Sequence, residues 1–171
     1  MRRGLCFATA ARPERGKGSR MQTVPLETAV ALIGTDLGAS DWKLIDQPLV
    51  TAFADLTGDR QFIHVDPEAA ARTPFGGAIA HGFLTLSLIA TLFPPGAIWL
   101  EGTKMGVNYG FDRVRFLQPI RVGKRIRARH VLRDVKAKGA DRVLVTTEVT
   151  IEIEGESKPA VIADWLNLQV L

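Results

Sequence analysis

From Ile98 to the end of the chain, apolar and polar positions broadly alternate; before it, apolar positions recur at intervals of three and four. Alternation puts successive side chains on opposite faces of a strand, whereas intervals of three and four put them on one face of a helix. The second half therefore predicts four long strands, 105–117, 124–135, 142–154 and 161–170, separated by turn-forming residues at 118–123, 138–141 and 155–159. The sharpest pattern belongs to Val143, Val145, Thr147, Val149, Ile151 and Ile153, which all face one way.

In the first half, Leu26, Val30, Ile33 and Leu37 predict a helix over 24–37 that Gly38 ends. A short half-buried strand follows at 42–46, then a helix over 49–56 with Leu49, Phe53 and Leu56 on one face and Gly58 as its stop. Residues 57–67, TGDRQFIHVDP, read as irregular, and 67–72 as a short helix with Asp66 as N-cap and Pro67 in its first turn. Three glycines and Pro74 make 73–82 a loop. Residues 83–93, FLTLSLIATLF, are apolar almost all round, and a helix without a polar face belongs in a core. Helices followed by four consecutive antiparallel strands give an α+β fold: a meandering antiparallel sheet closing around one buried helix.

Composition narrows the class. With 46% hydrophobic and 23% charged residues among 171, the chain is that of an ordinary folded domain. It has no apolar run of about 18 residues, hence no membrane-spanning helix. Its single cysteine, Cys6, excludes an intramolecular disulfide framework and any multi-cysteine metal site. A pI of about 9.6 suggests a polyanion partner until the charge is located. Residues 1–20 carry six basic groups against Glu14 alone, so the remaining 151 positions hold 16 basic and 17 acidic groups and sum to −1. Residues 1–20 are accordingly expected to be a basic, disordered leader or an upstream extension of a chain starting at Met21, with a targeting segment or a structural arm as the alternatives. The domain is expected to occupy 21–171.

Two elements could carry chemistry. Asp59 and His64 lie five residues apart after a helix, where a carboxylate and an imidazole can converge on one water and move its proton at neutral pH. Either could equally be structural, an Asp as a cap and a lone His as a packed residue. Gly82 stands just before the apolar helix, where a free backbone N–H can polarise a carbonyl oxygen; it could also be a plain helix-start glycine. His81 beside it, lacking partners at metal-ligand spacing, reads as a packed or loop histidine.

Together these residues carry a family resemblance. FADLTGDRQFIHVDPEAAARTPFGGAIAHGFLTLSL resembles the signature of the MaoC-like dehydratases, the (R)-specific enoyl-CoA hydratases of the hot-dog fold, and MGVNYGFDRVRFLQPIRVG also looks like that family. The likeness spans roughly 24–171 and is nearest to a subgroup resembling nodulation protein N. It implies an antiparallel sheet wrapped around a central helix, a cytoplasmic homodimer, and reversible hydration of a trans-2-enoyl thioester on CoA or an acyl carrier protein. No cofactor or metal is implied. The family's catalytic Asp and His match Asp59 and His64, and its carbonyl-binding N–H matches Gly82. The family's usual Asn-Pro is Gln61-Phe62 here, which removes the proline that stiffens the turn before His64. A thioesterase and a non-catalytic acyl-thioester-binding module are the alternative readings. The former would need a carboxylate where Thr85, Leu86 and Ser87 stand.

Residues 121–138 hold eight basic side chains against Asp134 alone, with Arg125, Arg127 and Arg129 on one strand face. They form either a solvated sheet face balanced by Glu148, Glu152, Glu154 and Glu156, or a contact for an anionic thioester carrier. Nucleic acid is disfavoured, because no aromatic residues interleave the charges. Phe62, Phe75, Phe83, Phe93, Trp99 and Tyr109 are candidates for pocket walls or core. A chain beginning at Met21 is expected to be nearly neutral and fully active in hydrating an enoyl thioester; loss of that activity on truncation would show that the leader belongs to the working protein.

Overall fold

A computed structural model describes residues 22–171. Cys6 and the basic leader lie outside them. The helical half contains strand β1 (Gln22–Val24), helix α1 (Leu26–Ala31), strands β2 (Asp36–Ala39) and β3 (Lys43–Leu44), and helices α2 (Gln47–Thr57), α3 (Phe62–Val65), α4 (Pro67–Ala71) and α5 (Gly82–Leu88). Then come β4 (Ile98–Leu100), β5 (Met105–Phe116), β6 (Arg125–Ala137), β7 (Arg142–Ile153) and β8 (Val161–Val170). The four long strands end within two residues of the positions that alternation predicts. Among the described residues no helix is long and apolar enough to cross a membrane.

The sheet is antiparallel, in the order β2-β6-β7-β8-β5, with β3 also paired to β6. Strands β6, β7 and β8 form the expected meander, but β5 does not pair with its sequence neighbour β6. It crosses to the outer side of β8, with Met105 opposite Val170 and Phe116 opposite Val161. One face of β7 buries Val149, Ile151 and Ile153 against Leu84, Ile89 and Leu92 from α5 and the turns after it. The α+β expectation, a sheet packed on a central helix, is met.

Three helices differ from their sequence patterns. In place of one helix over 24–37, Pro25 opens a six-residue helix and the chain turns at Gly34, whose φ is 90°. Leu37 then lies in β2, while Leu26, Val30 and Ile33 stay 39–46% exposed. The segment 83–93 is regular only to Leu88, after which Ile89, Ala90 and Thr91 donate to carbonyls three residues back. Thr85, Ser87 and Thr91 each bond a carbonyl of the preceding turn through their hydroxyls, a competition that loosens helices. Nor is α5 buried all round: Phe83 is 70% exposed. In α2 the buried stripe is Val50 and Ala54 rather than Leu56, which is 84% exposed. Asp46 caps α2 at the Leu49 N–H, and Gly58, left-handed at φ 79°, ends it.

The basic strand is paired to its neighbour. Arg127 stands opposite Glu152 and bonds it at 2.6 Å, Arg129 bridges Glu152 and Asp36, Arg133 meets Glu148 and Arg125 meets Glu154. Burial works to raise the Glu152 carboxyl, and the hydrogen bonds from Arg127 and Arg129 outweigh it, holding the group below its ordinary value. Arg127 also stacks on Trp42, 4.5 Å from its ring centroid. Arg121 is different. It has no carboxylate partner among the described residues, and its guanidinium lies against Gly76, where a Cβ would come within 2.9 Å of it.

His130 on β6 is buried between the sheet and the end of the helical segment, where its Nε2–H donates to the Leu92 carbonyl at 3.0 Å. Burial pushes its imidazole down to about 4, against the smaller opposing pull of that hydrogen bond. The unfolded chain accepts the proton near the ordinary value of about 6.5, so the folded state loses stability as pH falls through the interval below it. Going from about pH 7 to about pH 5 is expected to remove about 2 kcal/mol. Urea titrations at both pH values should show this loss, and His130→Gln should flatten the difference.

Candidate active site

His64 sits on α3, a single helical turn inside the stretch that reads as irregular. The turn closes because the Asp66 N–H donates to the Phe62 carbonyl at 2.9 Å, and Asp66 then caps α4 through the Ala69 N–H. His64 is buried, and its Nδ1 lies 2.7 Å from the Ile79 carbonyl. A carbonyl only accepts, so the proton is on Nδ1 and Nε2 carries the lone pair of the neutral ring. The backbone carbonyl of His64 accepts from Gln47 Nε2 at 2.8 Å, tying α3 to the start of α2.

Asp59 follows the left-handed Gly58 and is exposed. Its N–H donates to Thr57 Oγ1 at 3.4 Å, its carbonyl accepts from His81 Nε2 at 2.9 Å, and the next residue, Arg60, pairs back to Asp55. His81, 2% exposed, is the residue before α5, and its ring stacks on His64 with centroids 3.8 Å apart and planes 25° apart. Asp59, His64 and His81 each offer one ligand-type atom within 4.8 Å of the others. The stacked rings aim their in-plane lone pairs side by side rather than at one point, a poor fit to a single ion about 2.0–2.1 Å from each nitrogen.

Gly82 opens α5, and among the described residues its backbone N–H meets no protein acceptor. It lies with His64, Phe75, Thr85, Phe116 and Ile120 around an open cleft of about 370 Å³. Phe116, at the end of β5, roofs Gly82: a Cβ there would come 3.0 Å from the ring. The structure thus brings His64 and Gly82 to one cleft and places Asp59 in the cluster with His64 and His81, outside the residues that line the cleft. Of the candidate wall aromatics, Phe75 lines this cleft and Phe83 a neighbouring groove; Phe93 and Trp99 line a small cavity beside His130, Tyr109 lies in a groove at the other end of β5, and Phe62 is half exposed. Sequence reasoning misses Phe116 and the Ile79 carbonyl, because strand pairing and backbone direction decide both. It places His81 as a packed residue without joining it to the other two.

The chain matches the family model described as MaoC like domain over residues 28–154. It is 49% identical over 149 residues to nodulation protein N of Rhizobium meliloti (strain 1021), covering 86% of this chain and 92% of that one. It is 47% identical over 134 residues to 3-hydroxyacyl-thioester dehydratase Z of Mycobacterium tuberculosis (strain ATCC 25618 / H37Rv), covering 78% and 88% respectively. Among solved structures, the (R)-hydratase from A. caviae involved in PHA biosynthesis superposes with a TM-score of 0.62 at 26% identity, over 79% of this chain and 94% of that one.

Proposed function

Because the chain belongs to the MaoC-like dehydratase family, with the hot-dog fold of its structural neighbours, we propose that it is a hydro-lyase. It adds water across a trans-2-enoyl thioester or removes it from a 3-hydroxyacyl thioester. The observation that carries this reading is the lock on His64: its Nδ1–H is held by the Ile79 carbonyl, its ring shares one small cluster with the Asp59 carboxylate, and it lines one cleft with Gly82, whose N–H meets no acceptor among the described residues. In hydration, Asp59 and His64 hold one water against C3 of the enoyl group. Its oxygen bonds to C3, Gly82 N–H takes the negative charge that develops on the thioester oxygen, and the proton removed from the water is returned to C2. The reverse sequence expels water. The chemistry is proton transfer and charge stabilisation throughout, and it calls for no resident cofactor or metal.

The likeness to an (R)-hydratase supports the (R) product, and a CoA or carrier-protein thioester is the substrate this reading takes. Arg121, which follows the cleft residue Ile120 and has no acidic partner among the described residues, suits an anionic carrier better than the paired arginines of β6 do. A cytoplasmic setting belongs to the same reading.

A spectrophotometric assay with crotonyl-CoA tests the activity. Hydration removes the enoyl absorbance, a thioesterase would release free thiol, and a binding module would do neither. Asp59→Asn and His64→Ala are each expected to lower kcat by about 10²–10⁴ while the melting temperature holds, since each removes a proton-transfer group. Near-native turnover in either would overturn the assignment.

The working form is a homodimer paired along β5. This edge strand leaves Met105, Val107, Tyr109, Phe111 and Phe116 37–62% exposed, and Phe83 of α5 adds to the same uncovered surface. An apolar edge twelve residues long requires a partner strand. Light scattering should give the mass of two chains, and Val107→Lys should shift it toward one; a wild-type monomer at micromolar concentration would refute the pairing.

A further inference from the structure

We propose that His81 is the positioning residue of this site: its side chain sets the geometry of Asp59 and His64, and its backbone begins the peptide that carries the Gly82 N–H. The inference rests on the reading of Asp59 and His64 as the proton-transfer pair. Three contacts carry it. The Nε2–H of His81 donates to the Asp59 carbonyl at 2.9 Å, fixing the peptide that follows the carboxylate-bearing residue. Its ring stacks on His64 at 3.8 Å, so the His64 ring is held in its plane by this stack and at its edge by the Ile79 carbonyl. The Gly82 N–H belongs to the peptide that His81 itself begins, and the His81 carbonyl of that peptide accepts from the Thr85 N–H at 3.2 Å and its hydroxyl at 3.3 Å.

The surroundings of His81 constrain it further. It is 2% exposed, and the Phe53 ring of α2 lies 5.0 Å from its own. Its Nδ1 is buried without a protein partner, and the residue belongs to the 4.8 Å cluster formed with Asp59 and His64. A histidine serving only to fill space would be exchangeable for another aromatic ring. Here the ring and the N–H have separate tasks, and each can be removed alone. His81→Phe keeps a ring for the stack and loses the donor. His81→Gln keeps an N–H near the Nε2 position and loses the ring.

Loosening the Asp59 carbonyl displaces a reacting group without removing it, so the loss should fall on kcat rather than on KM. His81→Phe is expected to lower kcat for crotonyl-CoA about 10–100-fold with KM close to wild type and the melting temperature preserved. His81→Gln should recover most of that loss. Turnover at the wild-type level in His81→Phe, or a kcat that falls in both variants only in step with the melting temperature, would overturn the proposal. A second readout needs no turnover. The Arg60 amide shares its peptide with the Asp59 carbonyl, so its nitrogen resonance should move in His81→Phe and return toward wild type in His81→Gln. If the wild-type protein hydrates no enoyl thioester, the functional reading fails, and this resonance still decides the positioning role: an unmoved Arg60 amide in His81→Phe refutes it.

Discussion

The site hangs on a strap of three buried residues, Ala78, Ile79 and Ala80, whose backbone is hydrogen-bonded on both sides. Toward the helices, the Ile79 N–H donates to the Ile63 carbonyl at 3.0 Å and the Ile79 carbonyl receives the His64 ring at 2.7 Å. On the other side, toward the connection between β5 and β6, the Ala80 N–H donates to the Ile120 carbonyl at 2.8 Å and the Ala78 carbonyl accepts from the Val122 N–H at 2.9 Å. Buried peptide groups must be paired, so the strap cannot slide without breaking bonds on both sides. It thereby ties a one-turn helix that has little hold of its own to the connection that joins β5 and β6. The four residues of α3 would be unstable alone, because a short helix closes too few bonds to offset ordering its backbone.

Much of this was legible in the sequence wherever one physical signal dominates. The alternation of β7 is unambiguous because that strand is central and one of its faces is core, so Val143 through Ile153 are 7% exposed or less at every second position. The loop chemistry was also readable: Gly58, Asp66 and Pro67 act at helix ends through their own backbone or side chains, independent of distant contacts. The pairing of Arg127 with Glu152 follows from hairpin register, which alternation and the turn at 138–141 together set.

What the sequence did not disclose was decided by distant partners. The pattern from Leu26 to Leu37 fits a helix numerically, yet Gly34 turns the chain so that its N–H reaches the Leu132 carbonyl and Leu37 joins β2. Local periodicity holds no information about that competing sheet edge. The crossing of β5 to β8 is a matter of topology, and adjacency in sequence points the wrong way. In the candidate site, Asp59, His64 and Gly82 are separate marks along the chain; the His81 side chain touches the first two, and the strap that holds the His64 ring leads directly into His81 and Gly82. His81 reads as a packed histidine because burial, its most general property, conceals its two specific contacts.

The uncovered parts of the chain belong to the same geometry. A central helix that is apolar all round in sequence still shows Phe83 at its surface, and β5 shows apolar side chains along its length. The two exposures meet in the groove between α5 and β5, lined by Phe83, Asn108, Phe111 and Trp165. Phe116 closes this strand and at the same time roofs Gly82, with its ring 6.1 Å from that of Phe83. Cover placed over β5 would therefore also press on the roof of the cleft. A strand added there would restrict the Phe116 ring, and with it the space above the Gly82 N–H that a thioester oxygen would occupy. Phe116 is thus the one aromatic side chain that belongs both to the edge strand and to the wall of the cleft.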